Sequence, residues 1–262
     1  MTDVSPHVRE GEILRLSIEK LVHGGYGFSR YGRQACFVRN AIPDEVADVR
    51  IETVKTQYLQ GVAEKIITVS PYRVIPRCPI VSLCGACQWQ HMAYEHQLFW
   101  KASIVKEAIE RIGGVRGVAV PLPVASSLKF HYRCRATLHI SGKELGYFKE
   151  KSHEIVPVQD CLAVAPSLND VLRLFREKLS KERTFFPCRH GRLQLLLVKR
   201  TGDVIAIAEG SERSIKKYIF KKGEEHLLPA CGDEAIDDID GLLFRRDPEN
   251  FYQINYEQNR EL

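Results

Sequence analysis

The stretch ILRLSIEKLVHGGYGF, residues 13–28, decides how the first part of the chain folds. Its first seven residues alternate roughly between apolar and polar side chains, which is the pattern of a half-buried β-strand. The glycine-rich residues 23–27 then predict a tight turn, because glycine adopts backbone angles that other residues avoid. The chain therefore begins with a strand followed by a turn.

The residues that follow repeat this alternation of strands and turns. Residues 35–38 and 46–51 read as further short strands, and the segment AIPDE at 41–45 reads as a turn between them. About five short strands within about 60 residues are typical of a small closed barrel of the oligonucleotide-binding (OB-like) kind. We expect such a barrel over residues 1–70, and any other small β-barrel fits the pattern equally well.

The rest of the chain predicts a mixed α+β domain over residues 71–250. Prolines at 71, 76 and 79 mark the exit from the barrel, and apolar residues then recur at helical spacing over residues 90–112. A second helix is expected from Pro166, with one apolar face: Leu168, Val171, Leu172 and Phe175. Strands are predicted between and after the two helices.

Composition narrows the class of protein. The chain of 262 residues is 44% hydrophobic and 27% charged, as in ordinary globular proteins. It contains neither a secretory signal pattern nor a run of about 18 apolar residues, so we expect a cytoplasmic protein without a membrane partner. Disulfides are rare in the cytosol, so clustered cysteines there point to a metal or an iron–sulfur cluster.

Charge is distributed unevenly along the sequence. Basic and acidic residues number nine each in residues 1–70, 26 and 13 in residues 71–222, and three and 11 in residues 223–262. The polycationic middle segment favours a polyanionic partner, and binding to such a partner is expected to weaken with salt.

The most specific motif is a C-x5-C-x2-C arrangement of Cys78, Cys84 and Cys87. A C-x2-C pair places two thiolates where both reach one metal centre, and Gly85 allows the tight backbone between them. No second C-x2-C pair completes a zinc ribbon. The spacing favours an iron–sulfur cluster, with zinc and structural thiols as open alternatives.

The motif and its surroundings resemble the RNA (uracil-C5)-methyltransferases, in particular the bacterial 23S rRNA branch with an N-terminal TRAM domain. The matching segments are KLVHGGYG at 20–27, AIP at 41–43, RCP at 77–79, CGACQWQH at 84–91, HYR at 131–133, LGY at 145–147 and FYQIN at 251–255. Asp44 departs from the family pattern, which commonly has glycine after the proline.

The resemblance implies a 4Fe-4S cluster bound by Cys78, Cys84, Cys87 and Cys161. The remaining cysteines, Cys36, Cys134, Cys188 and Cys231, are then expected to be packed as small apolar residues. Because the cluster's ligands would come from positions about 70 residues apart, a structural role is the simplest expectation for it.

The family transfers a methyl group from S-adenosylmethionine to C5 of uracil after a cysteine thiolate adds to C6. Its glycine-rich cofactor loop and the nucleophile's D-P-P-R element do not occur after Asn255. The expected fold class is therefore a TRAM barrel and an α+β iron–sulfur domain with the C-terminal Rossmann-like domain absent. Residues 251–262 are interpreted as the start of a truncated methyltransferase domain.

The expected function follows from that interpretation. The chain is the N-terminal RNA-binding and iron–sulfur portion of the enzyme, inactive alone and using S-adenosylmethionine only when intact. The alternative is a stand-alone RNA-binding iron–sulfur protein without methyltransferase activity. Phe251 and Gln253 are expected near the substrate base or the cofactor.

The expected partner is structured RNA, specifically 23S rRNA, with no DNA partner and with a monomeric intact enzyme. Basic and aromatic residues beside the glycine turn and on the strand near residue 133 are the candidate RNA contacts. They are Lys20, Tyr26, Arg30, Arg33, Arg39, His131, Arg133 and Arg135. A TRAM-bearing radical methylthiotransferase is disfavoured because its C-x3-C-x2-C motif is missing.

Overall fold

The computed structural model describes residues 8–262 except 183–184, 187, 211–214, 225, 230–234, 240 and 247–249. The chain forms two compact units. Unit 1 comprises the residues up to 82 together with 87–125, and unit 2 comprises 83–86 together with 126–262. These units divide the chain differently from the domains expected from the sequence, whose bounds stay a prediction.

Unit 1 contains a six-stranded sheet in the order β1-β5-β6-β4-β3-β2. Its strands are β1 (Ile13–Ser17), β2 (Lys20–Leu21), β3 (Gly27–Tyr31), β4 (Gln34–Arg39), β5 (Val46–Val54) and β6 (Tyr58–Thr68). Strand β4 runs parallel to β6, whereas the other neighbours are antiparallel. The strands and turns read from the sequence are therefore confirmed in this unit.

The barrel core follows from strict alternation along the strands, because successive side chains point to opposite faces. In β1, Leu14 and Leu16 are buried while the residues between and beside them are exposed. The core also contains Ile18, Cys36, Val38, Ala41, Ala47, Val49, Ile51 and Leu59. Asp44, where the resembled family has glycine, adopts a left-handed conformation with φ of 68°.

A helix follows the barrel, but it is shorter than the predicted helix over 90–112. Helix α1 spans Tyr94–Glu107 and continues into a π-helical turn over Ala108–Ile112. The residues just before it are extended, because Arg73 and Met92 form a β-bridge and the Ala93 N–H donates to the Tyr72 carbonyl at 2.9 Å. Those hydrogen bonds move the start of the helix to Tyr94.

A second cluster of buried residues in unit 1 joins this helix to the end of the barrel. Leu21, Ile42 and Met92 are almost fully buried, and Trp89, Trp100 and Ile104 pack against them. Only Ala102 of α1 is itself buried. The helix thus contributes the edges of large side chains to this cluster, and much of its surface is solvent-exposed.

Unit 2 is built on a seven-stranded antiparallel sheet in the order β13-β12-β11-β10-β7-β8-β9. Its strands are β7 (Arg135–Ser141), β8 (Glu144–Phe148), β9 (Ile155–Pro157), β10 (His190–Leu197), β11 (Val204–Gly210), β12 (Ile215–Phe220) and β13 (Leu228–Pro229). Helix α2 (Pro166–Lys181) packs on the sheet, and its predicted apolar face is buried. Proline at the start of α2 suits a helix N-terminus, where its missing N–H is not needed.

The remaining elements of unit 2 are the hairpin β14 (Ala235–Ile239) and β15 (Leu242–Arg246) and the short helix α3 (Tyr256–Asn259). The Tyr256 hydroxyl donates a hydrogen bond to the Asp238 carbonyl, which holds α3 against the hairpin. In the described part of the chain, no helix combines the length and apolar character needed to cross a membrane.

Candidate nucleic-acid interface and cysteine motif

Aromatic side chains line the outer face of the barrel. In β3 the side chain of Ser29 points into the core, so Phe28 points outward and stays partly exposed. Phe28 lies opposite Phe37 of β4, with ring centroids 6.1 Å apart. Phe37 in turn lies 5.8 Å from the ring of Tyr58 on β6. Three strands therefore present a continuous row of rings.

Two cations flank this row. Lys20 Nζ lies 5.2 Å and the Arg30 guanidinium 5.6 Å from the centre of the Phe28 ring, within the range of cation–π attraction. Lys20 also donates hydrogen bonds to both carboxylate oxygens of Glu107, at 2.8 and 2.9 Å. We call Lys20, Phe28, Arg30, Phe37 and Tyr58 the barrel patch. It combines positive charge with stacking surface, which is what single-stranded nucleic acid requires.

The other predicted contacts of the barrel lie elsewhere. Arg33 is exposed in the turn between β3 and β4. Arg39 forms an ion pair with Glu52, and the ring of Tyr26 packs beside Gly24. Phe37 and Tyr58 are not among the RNA contacts predicted from the sequence. Strand register and the alternation of side chains contain the signal that would place them beside Phe28.

The basic residues predicted on unit 2 have backbone and side-chain partners within the protein. The exposed His131 has φ of 59°, and its Nδ1 lies 3.0 Å from the Val164 carbonyl. Arg133 pairs through its backbone with Val164 and Asn255. Arg135 donates to the Asn250 carbonyl at 2.5 Å and to Gln194 Oε1 at 2.9 Å. Part of this basic strand therefore organises the fold of unit 2.

Phe251 and Gln253 lie on an extended segment held against the start of β7. The Cys134 N–H donates to the Ile254 carbonyl at 2.8 Å, and the Cys134 thiol lies 3.6 Å from the Gln253 carbonyl. Both side chains in question are exposed, Phe251 to 85%. The backbone of this segment is fixed while its side chains remain accessible to a ligand.

The residues after the cysteine motif, 89–91, make their contacts within unit 1. The Trp89 indole N–H donates to the Gly25 carbonyl at 3.1 Å, and Gln90 Oε1 accepts from the Cys78 N–H at 3.3 Å. His91 is buried, and burial lowers its pKa to about 4, with the positive charge of Arg73 acting in the same direction and Glu45 opposing it. This part of the motif therefore positions the chain.

A buried ion pair supports the same region. The Glu45 side chain is fully buried, and it binds Arg73 through both carboxylate oxygens while accepting the Ile42 N–H at 2.9 Å. Arg73 also donates to the Asn40 carbonyl at 2.8 Å. These contacts fix the segment that leaves the barrel. The ion pair tolerates burial because each charged group is hydrogen-bonded within the protein.

Two of the predicted cluster ligands lie near one tyrosine in unit 2. The Tyr147 hydroxyl is 4.0 Å from the Cys161 sulfur, and burial, followed by the charges of Cys161 and then Cys84, raises the pKa of Tyr147. Cys84 forms a β-bridge with Lys149. The Cys161 N–H donates to the Asn169 side chain at 2.8 Å, which fixes its backbone.

Gly85 allows the segment 83–86 to lie close to residues 148–150. A Cβ at this position would lie 2.9 Å from the Phe148 carbonyl oxygen and 3.0 Å from the Glu150 nitrogen. Cys78, Cys84, Cys87 and Cys161 are all partly exposed. Among the described residues, which include these four, no three His, Cys, Asp or Glu side chains are grouped as metal ligands. Thiolates are the donors that an iron–sulfur cluster takes.

The other cysteines are partly as expected. Cys36 and Cys134 are buried, and burial raises the pKa of the Cys36 thiol to about 11, so both suit a packing role. Cys188 is only partly buried. Cys231 lies outside the described residues.

Comparisons with known proteins identify the N-terminal barrel and the relatives of the chain. Residues 7–63 match the TRAM domain. The chain is 30% identical to an uncharacterized RNA methyltransferase of Aquifex aeolicus over 93% of its own length. It is 33% identical to one from Thermosynechococcus vestitus over 97% of its length. It spans 61% and 64%, respectively, of the length of these relatives.

The fold is also found in a solved structure. The tRNA (uracil-54, C5)-methyltransferase of Pyrococcus abyssi, in complex with S-adenosyl-L-homocysteine, matches with a TM-score of 0.65 and 22% sequence identity. The match covers 94% of this chain and 63% of the Pyrococcus abyssi protein.

These likenesses correct three expectations: an absent Rossmann-like domain in the fold class, a function limited to an N-terminal portion, and an inactive chain. All three were inferred because the cofactor loop and the D-P-P-R element do not occur after Asn255. The likeness to RNA methyltransferases instead covers 93–100% of the chain, and the likeness in fold covers 94% of it. The chain is thus matched to methyltransferases across both compact units, and the position of its last residue shows neither a missing domain nor missing activity.

Proposed function

We propose that the protein is an S-adenosylmethionine-dependent RNA (uracil-C5)-methyltransferase. The observation that carries this proposal is the likeness to RNA methyltransferases over nearly the whole chain, which joins the TRAM barrel and unit 2 in one kind of protein. S-adenosylmethionine would supply the methyl group. Phe251 and Gln253, accessible beside β7, are the residues proposed to lie near the substrate base or this cofactor.

The barrel patch supports the RNA part of the proposal. Structured RNA exposes unpaired bases in loops and bulges, and proteins recognise such bases by stacking aromatic rings on them. Phe28, Phe37 and Tyr58 offer rings, while Arg30 offers positive charge for the phosphates. We further propose 23S rRNA as the substrate, a monomeric enzyme, no DNA partner and a cytoplasmic location.

A methyl-transfer assay tests the function. The protein is incubated with S-adenosylmethionine labelled in the methyl group and with unmodified 23S rRNA or tRNA transcripts, and the RNA is then digested to nucleosides. We expect label in 5-methyluridine from the rRNA. Label in any other nucleoside, or in none, contradicts the proposed chemistry. Label from tRNA alone contradicts the proposed substrate.

We also propose that Cys78, Cys84, Cys87 and Cys161 bind a 4Fe-4S cluster. Four cysteine thiolates are the usual ligand set of such a cluster, and Gly85, between two of them, leaves room for the close approach of Phe148 and Glu150. Protein purified without oxygen should contain about four irons per chain, and Cys161→Ser should lose most of that iron. Cys188→Ser, outside the set, should keep it. Stoichiometric zinc without iron contradicts the proposal.

A further inference from the structure

Three aromatic rings stack on the surface of unit 1 at the start of α1. The rings of Tyr72 and His96 are 3.8 Å apart and tilted by only 7°, and those of His96 and Phe99 are 5.7 Å apart and tilted by 12°. The outer rings are accessible, since Tyr72 is 43% and Phe99 49% exposed. We call these three residues the helix stack.

The helix stack is held rigidly from one side. The Trp100 indole N–H donates to His96 Nε2 at 2.9 Å, and the Trp100 ring stands edge-on to both His96 and Phe99. Burial lowers the pKa of His96, although Asp44 opposes the shift. The imidazole is therefore a neutral acceptor at physiological pH, and the stack presents flat, uncharged and fixed rings.

The helix stack lies outside the two buried clusters of unit 1 described above. Neither the barrel core nor the cluster around Leu21, Ile42 and Met92 includes any of its three residues, whereas Trp100 does pack on that cluster. Tyr72 and Phe99 leave almost half of their surface in contact with solvent, so folding uses only part of their apolar area. Rings that are held parallel and left accessible suit a ligand that itself has a flat face.

A groove with positive charge continues from the helix stack along α1. Ser103 lies one turn after Phe99, and Lys106 lies two turns after it, a rise of about 10 Å on the same side of the helix. The groove is lined by Ser103, Lys106, Glu107, Glu110 and Arg111. Lys20 binds Glu107 at 2.8 Å and Arg111 approaches it to 3.7 Å. With Lys20 counted, three basic side chains stand against two carboxylates, because Glu110 also lines the groove. This leaves a net attraction for phosphate in the groove.

We propose that the helix stack binds an unpaired base of RNA, with Lys106 and Arg111 holding the adjoining phosphates. This inference rests on the proposed function for the identity of the polymer. Every base has a flat π-face, so stacking of this kind tolerates sequence and requires a base that is out of a duplex. The surface therefore gives the protein a second contact with single-stranded RNA, on α1 rather than on the barrel patch.

The experiment measures binding of the full chain to two labelled probes by fluorescence anisotropy. The first probe is single-stranded oligouridylate of about ten nucleotides, and the second is duplex RNA of similar length. Phe99→Leu keeps an apolar side chain but removes the flat ring, and Phe99→Trp keeps a ring. Val105→Ala is the matched control, since Val105 is also 49% exposed on α1.

Phe99→Leu should weaken oligouridylate binding about tenfold, as expected for the loss of one base stack. Phe99→Trp and Val105→Ala should bind oligouridylate within about twofold of the wild type, because both variants keep an aromatic ring at position 99. Phe99→Leu should bind the duplex within about twofold of the wild type, because a duplex has no unpaired base to stack. Thermal unfolding of each variant checks that the fold is retained. A tenfold loss confined to Phe99→Leu and the single-stranded probe supports the proposal.

Three results overturn it: unchanged oligouridylate binding by Phe99→Leu, equal weakening for the duplex, or a wild-type dimer that Phe99→Leu dissociates. The last would mean that the rings cover a second protein chain. Failure of this inference is separable from failure of the proposed function. If uridine is methylated and Phe99→Leu binds oligouridylate like the wild type, the proposed base binding by the helix stack is wrong. If no uridine is methylated but Phe99→Leu weakens oligouridylate binding, the proposed enzyme activity is wrong.

Discussion

The indole N–H of Trp89 donates a hydrogen bond to the carbonyl oxygen of Gly25, across 3.1 Å and 64 residues of sequence. The contact ties the segment after the cysteine motif to the glycine turn of the barrel. Gly25 has φ of 84°, and a Cβ there would lie 2.9 Å from Gln88 Cβ and 3.0 Å from Trp89 Nε1. The turn thus has to be glycine for two separate reasons, conformation and space.

Gly25→Ala should destabilise unit 1 more than Gly32→Ala does. Both glycines have positive φ, which costs an alanine about 1–2 kcal/mol, but a Cβ at Gly32 meets nothing within 4 Å. The extra crowding at Gly25 should add about 1–3 kcal/mol. Urea unfolding of both variants measures the difference. Equal losses would show that Trp89 and Gln88 move aside without cost.

Stability should fall with pH below the usual pKa of histidine, because of His91. Burial lowers the pKa of His91 to about 4, from the ordinary histidine value of about 6.5. As pH falls, the imidazole of His91 is protonated in the unfolded chain before it is protonated in the folded one. The contribution of neutral His91 to the free energy of unfolding is therefore complete above about pH 6.5 and is lost as pH falls towards 4. The loss is on the order of 3 kcal/mol.

His91→Gln should flatten that part of the pH profile, because glutamine does not titrate. The measurement is the free energy of unfolding of wild type and variant at several pH values between 7 and 4. His23→Gln, at an exposed position in the glycine turn, is the matched control for replacing a histidine. Parallel profiles for wild type and His91→Gln would contradict the assignment.

Glu45→Gln should cost about 3–5 kcal/mol of stability, because it leaves the charge of Arg73 without its buried partner. Glu45 also accepts the Ile42 N–H, so the turn before β5 should loosen as well. Asp48→Asn breaks the Arg15–Asp48 pair, whose arginine side chain is 63% exposed, and should cost less than about 1 kcal/mol. Urea unfolding of the two variants should separate them clearly, and similar losses would mean that the Glu45 pair is solvated.

Arg30→Gln should weaken RNA binding at the barrel patch and reduce its salt dependence. Each lost phosphate contact lowers the slope of log affinity against log salt by about one. Arg15→Gln is the matched control on the same barrel, because Arg15 is bound to Asp48 through two hydrogen bonds at 2.8 and 3.0 Å. Equal slopes for Arg30→Gln and wild type would place phosphate binding away from the barrel patch.

Local patterns in the sequence determined a large part of the fold. Alternating side chains predicted the strands of unit 1, and the buried face of α2 followed from its helical spacing. These predictions succeed because strand and helix periodicity depend on neighbours only a few residues apart. The C-x5-C-x2-C spacing is likewise local, and it predicts a cluster without any knowledge of the fold.

Only the tertiary structure decided where the aromatic rings lie. Phe28, Phe37 and Tyr58 form one row because strand register places them side by side, and the helix stack forms because Tyr72 meets a helix 24 residues further on. The start of α1 at Tyr94 was set in the same way, by hydrogen bonds with residues 72–74. The Glu45–Arg73 pair joins residues 28 apart. Such contacts depend on which segments pack together. A local sequence pattern does not determine how far apart two distant segments lie in the fold.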